Sequence, residues 1–167
     1  MAVQTGRTVD RWTRVLIDDN AGTPREIPVD TMSPVGFVYD SEDLTAWQDA
    51  VKGYLAKHPD ASIEFGGPWD TTAAAAAAAS AAAPVLSGSH TVLNPLTAAT
   101  FTTPLGFAVC YGVRHYWEAG EPVFGVVSPS ATAGYTVYEY RKNGPKYTCA
   151  IKPFPGTTPA WGTAILT

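Results

Sequence analysis

The densest set of groups able to do chemistry is Arg114, His115, Glu118 and Glu121, in the run RHYWEAGE. Gathered on one side of a turn, His115 with Glu118 or Glu121 could act as acid and base, or offer ligands to a metal. Both jobs need groups within reach of a single hydrogen bond or a single ion. No third ligand is spaced to complete a metal site, since His58 and His90 stand apart, in a predicted helix end and a loop. The simpler reading is a strand connection closed by a salt bridge from Arg114 to Glu118. FGGPWD carries paired glycines, Gly66 and Gly67, but Pro68 has no amide to give a phosphate and no lysine follows, so a bend is expected there. With no nucleophile elbow, phosphate cradle or zinc spacing, the expectation is a protein that is not an enzyme and needs no cofactor and no metal.

Acids and aromatics are the other candidates. Asp18, Asp19, Glu26, Asp30, Glu42 and Asp43 give the first quarter an acidic lean. They read either as ordinary solvated surface or as a negative wall past which DNA could slide, because like charge suppresses phosphate contacts. Trp12, Trp47, Trp69, Trp117 and Trp161 are spread along the chain rather than interleaved with Lys and Arg, which disfavours a stacking platform for single strands. Trp47 is expected in the core, and Trp69, Trp117 and Trp161, in turn-rich segments, at contacts between subunits. Cys110 and Cys149 read as buried free thiols, though a bridge between them stays open.

These groups must be positioned by a chain of 167 residues with 11 basic and 15 acidic side chains, net charge −4. The sequence pI near 5.2 argues against a duplex-DNA reader, which needs a basic field. Charged residues are 16% of the chain, against about 25% in ordinary soluble domains. A surface so poor in charge suggests one that is covered by partners. Fifteen glycines and 14 prolines point to strands and turns. No run of 18 apolar residues exists and residues 1–9 lack a signal-peptide pattern, so a soluble protein folding in the cytoplasm, with no membrane partner, is expected.

Residues 11–29 predict a hairpin turning at DDNAGTP. From Ser41, Leu44, Trp47, Val51, Tyr54 and Leu55 fall on a helical stripe ending at His58-Pro59, so a helix is predicted there. Residues 62–65 predict a strand. Residues 73–83, ten alanines and one serine, are either a short helix or a loop. In LGFAVCYGV, Leu105, Phe107, Val109, Tyr111 and Val113 alternate with Gly106, Ala108, Cys110 and Gly112, giving a strand with one bulky and one flat face. Further strands are predicted at 123–127, 135–141 and 147–151. The expected fold is mainly β, a single-domain β-sandwich or rolled barrel with one flanking α-helix and an N-terminal arm over residues 1–10.

The stretches DASIEFGGPWDTTAA, SGSHTVLNPL, PLGFAVCYGVRHYWEAGEPVFGVV, GYTVYEY and PAWGT, spread over residues 60–163, resemble the major tail proteins, or tail tube subunits, of long-tailed bacteriophages. The resemblance implies a β-sandwich whose copies form rings, commonly sixfold. The rings would stack into a tube around a tape measure protein, ending at tail-tip or baseplate proteins and at a tail terminator. It also implies assembly in the host cytoplasm, residence in the virion tail, and genomic DNA passing through the lumen without specific binding. Asp18, Asp19 and Glu26 are then candidates for the lumen or ring junction, and Trp69, Trp117, Trp161, Arg114 and Glu118 for contacts between subunits. The alanine run is no fixed element of that family. Other classes stay open: a head decoration or tail-completion protein, a carbohydrate- or surface-binding module, or an enzyme built on His115, Glu118 and Glu121.

Overall fold

Side chains alternate across a strand, and that alternation builds two layers. In the computed structural model, which describes residues 6–77, 84–97 and 103–166, β1 (Thr13–Asp18) sends Val15 and Ile17 to one face and Leu16 to the other. It turns into β2 (Pro24–Glu26), as expected, with Leu16 opposite Glu26. Asp19 makes the turn: its Oδ1 accepts the amides of Ala21 and Thr23, each at 2.9 Å, while Gly22 takes φ 76°, the left-handed region open to glycine. After β3 (Thr31–Met32), β4 (Val38–Asp43), β5 (Tyr54–Asp60) and β6 (Ile63–Pro68) come α1 (Ser89–Leu96), β7 (Phe107–Tyr111), β8 (Val123–Val126), β9 (Tyr135–Asn143), β10 (Lys146–Pro153) and β11 (Ala160–Gly162). One antiparallel sheet has the order β11-β8-β7-β1-β2 and the second β3-β6-β10-β9.

The sheets meet through Val15, Ile17, Phe107, Val109 and Phe124 on one side and Ile63, Phe65, Tyr147, Cys149 and Ile151 on the other. Phe65 stacks on Phe107 at 5.6 Å, and Tyr135 meets Phe107 edge-on at 5.5 Å. Burial of each large apolar side chain stabilises by roughly 1.5–3 kcal/mol, so this layer holds the sandwich together. Gly66 and Gly67 lie inside β6 rather than in the expected bend. A Cβ on Gly67 would come within 2.4 Å of the Pro28 carbonyl oxygen, so glycine admits a close backbone neighbour here.

The fold is a mainly β sandwich with one flanking helix, but the helix is not where the periodicity placed it. Residues 41–57 form no helix; they belong to a β4–β5 ribbon, with Glu42 opposite Leu55 and Asp43 opposite Tyr54. A helix here would need packing to hold its apolar stripe, and Gly53 weakens it further. Instead the short polar side chains bond the loop: Asp43 accepts the amide and hydroxyl of Thr45, and Asp49 accepts the Ala46 amide at 2.8 Å. The actual helix, α1, buries Ser89, Val92, Leu93 and Leu96, one face at helical spacing, despite Pro95 in its last turn. The predicted strands from residue 62 onward are present with shifted ends. Residues 71–77 have no regular structure. The rest of the question about the alanine run, at 78–83, lies outside the described residues, as does the arm before Gly6.

The flat face of β7 is buried too, and by this chain's own residues. Ala108 and Cys110 pack with Leu16, Trp117, Val123 and Leu166. A Cβ on Gly106 would meet Leu166 at 2.3 Å, and one on Gly112 would meet the His115 carbonyl oxygen at 2.0 Å. Both faces of β7 are therefore covered by the chain itself.

Candidate functional site

The RHYWEAGE loop does gather its groups, around Glu121 rather than Glu118. Glu121 is fully buried. Its Oε2 accepts the Glu118 amide at 3.0 Å, and its Oε1 faces the Val113 amide at 3.4 Å and His115 Nε2 at 3.4 Å. Trp117 Nε1 donates to the Glu121 carbonyl oxygen at 2.9 Å, and the ring is buried behind the flat strand face. Arg114 takes φ 66°, the left-handed region, which is uncommon for a non-glycine. The expected Arg114–Glu118 salt bridge is not among the ion pairs of the described residues; the loop is closed instead by backbone amides that donate to the Glu121 carboxylate. The carboxylate is spent on the loop, and His115 Nε2 is near it without a hydrogen bond. Arg114 itself is exposed and Glu118 half-buried, so both remain available at the surface. Among the described residues, no three His, Cys, Asp or Glu side chains are grouped to hold a metal.

The acidic candidates divide. Asp18 and Glu26, expected at a lumen or ring junction, are buried within the chain, so neither presents its carboxylate at the surface. Glu26 forms a two-pronged pair with Arg14, Nε to Oε1 at 2.9 Å and Nη2 to Oε2 at 2.6 Å, on the back of β1. Such a pair costs desolvation and is kept only when both partners are satisfied. Asp18 Oδ2 accepts the Gly106 amide at 2.8 Å, while Oδ1 has no partner. Burial pushes its carboxyl above the ordinary 3.8, the Gly106 amide pulls it back, and Asp19 pushes it further. Asp19 is half-buried at the hairpin tip; burial opposes its ionisation, but the Thr23 amide, the Arg25 guanidinium and the Ala21 amide hold it below 3.8.

The tryptophans divide as well. Trp117 is enclosed within the chain, so it offers no surface to a neighbour. Trp69 is half-buried between His90, at 4.9 Å, and Lys142 Nζ, at 5.0 Å from the ring. Trp161 is 53% exposed on β11, the terminal strand of its sheet, against Tyr111 and Phe124. Trp47, expected in the core, stands fully exposed at the ribbon tip. Both cysteines are buried free thiols, each pushed up to about 12, first by burial.

The ribbon is the most unusual surface. Val38, Tyr39, Leu44, Trp47, Val51, Tyr54 and Leu55 are all exposed. Every residue of β4 and β5 is exposed, and neither strand belongs to the two sheets of the sandwich. Lone apolar side chains on a surface are ordinary, but seven on one two-stranded ribbon make it the candidate interaction site. No protein-family model and no curated protein matches this chain. The site therefore rests on the residues themselves.

Sequence reading placed five of these seven residues, Leu44, Trp47, Val51, Tyr54 and Leu55, on one element but assigned the wrong one, and with it the wrong environment. The available signal was the pairing of two extended runs, VYDSED and YLAKHPD, across a loop with Asp43, Thr45 and Asp49 at turn positions. It also passed over Arg14, whose burial only its pairing with Glu26 makes intelligible, and the helical spacing of Ser89, Val92, Leu93 and Leu96, which Pro95 disguised.

Proposed function

We propose that this chain is a structural protein that assembles with copies of itself into stacked rings, a tail tube subunit of a long-tailed bacteriophage. The observation that carries the reading is the ribbon: seven large apolar side chains outside both sheets of the sandwich, on a chain with an otherwise complete core. A two-stranded ribbon gains little stability alone. It gains by covering a partner. The sandwich adds terminal strands, β9 and β11 among them, able to extend a sheet between copies. The motif order from residue 60 to 163 supports the tail tube among self-assembling proteins. On this reading the ring encloses a tape measure protein and later DNA, and the tube meets tail-tip and terminator proteins at its ends.

Light scattering across a concentration series tests the self-assembly. Discrete multiples of the 17.7 kDa chain are expected. A monomer at every concentration, with no tube even beside tape measure and tail-tip partners, would overturn the reading.

A further inference from the structure

The ribbon and the β9–β10 hairpin carry opposite charge. Residues 38–60 hold Asp40, Glu42, Asp43, Asp49 and Asp60 against Lys52 and Lys57, a net of −3; residues 135–153 hold Arg141, Lys142, Lys146 and Lys152 against Glu139, a net of +3. Counting Asp30 against Lys146, which it meets at 2.8 Å, and Asp60 against Lys152, which attracts it within the chain, still leaves the hairpin positive and the ribbon negative. Arg141 meets Glu139 at 3.0 Å within the hairpin itself. The hairpin also presents an aromatic ring: Tyr138 is 71% exposed, with Lys152 Nζ over it, 4.1 Å from its centroid. β9 is the terminal strand of its sheet, and among the described residues no strand pairs along its outer edge beyond the Tyr135–Leu105 bridge.

We propose that the ribbon of one copy docks on the β9–β10 hairpin of a second copy. Its apolar side chains cover Tyr138 and the open edge of β9, and its carboxylates face Arg141, Lys142 and Lys152. The inference deepens the self-assembly reading and rests on it. The two surfaces lie on different elements, so the contact is head-to-tail, and each copy offers one of each. A head-to-tail contact closes into a ring or continues as a filament. A lipid surface is a poorer occupant, because a net-negative ribbon is repelled by anionic headgroups. A polyphosphate chain is repelled for the same reason.

Two sets of full-length variants test the docking. With Trp47→Cys and Tyr138→Cys in one chain, mild oxidation is expected to give a ladder of covalent multimers, while either replacement alone gives none; the buried Cys110 and Cys149 stay silent. Arg141→Glu with Lys152→Glu is expected to weaken self-association by about tenfold or more, and adding Asp40→Lys with Glu42→Lys to restore it. All four sites are exposed, so the melting temperature of the subunit serves as the folding control. Undiminished assembly of the Arg141→Glu, Lys152→Glu protein would overturn the docking and leave self-assembly standing. Efficient dimers from Trp47→Cys alone would overturn it in favour of a ribbon-to-ribbon contact. A wild-type chain that never assembles would overturn both readings, and Trp47-dependent sedimentation of that monomer with phosphatidylglycerol vesicles would assign the ribbon to lipid.

Discussion

Glu121 and Asp18 are two buried carboxylates with different neighbours, and each makes a distinct prediction. Glu121 accepts from backbone amides on both sides of its loop and faces His115. Glu121→Ala leaves those donors buried and unmatched, so a loss of about 3 kcal/mol is expected in urea unfolding. Glu121→Gln keeps one acceptor and should lose less. Asp18 keeps one oxygen without a partner. Its folded-state pKa is raised, so the folded form favours the proton more than the unfolded chain does. The stability this contributes is complete below the unfolded value of 3.8 and fades as pH rises through the folded value. Asp18→Asn removes that fading. Its stability relative to wild type should therefore climb as pH rises above 3.8, the unfolded value, reaching a gain of about 1 kcal/mol in urea unfolding. A constant difference across that range would show that the carboxylate does not titrate in the fold.

Elements are decided by what their side chains can reach. The β1–β2 hairpin was legible because Asp19 and Gly22 write the turn into the sequence, and the β7 alternation because both of its faces have uses. The ribbon was illegible: the spacing of Leu44, Trp47, Val51 and Leu55 fits a helix, and only the absence of a receiving surface within the chain rules that out. Trp47→Ser should accordingly leave thermal stability within about 0.5 kcal/mol of wild type while reducing self-association. Phe107→Ala, in the layer between the sheets, should cost about 3–5 kcal/mol. In β6, the close approach of the Pro28 carbonyl predicts that Gly67→Ala loses about 2 kcal/mol by chemical denaturation. The sequence shows the glycine pair, but not the backbone lying against it.

At the scale of the whole molecule, the low charge and the many turns predicted a β-sandwich with covered surfaces, and part of that cover is internal. Trp117, Leu166 and the RHYWEAGE loop lie on the flat face of β7. Asp18 and Glu26 looked like surface acids because burial depends on pairings across the sheet, Glu26 with Arg14 and Asp18 with Gly106, that no local spacing reveals. What remains for partners is the ribbon, the edges of β9 and β11, and the half-exposed Trp161. These lie on separate elements, as a subunit with neighbours on several sides requires. Electron microscopy of the protein, expressed alone and with tape measure and tail-tip partners, tests this most directly. The account predicts rings or stacked rings with a central channel. Uniform isolated particles in both preparations would contradict it.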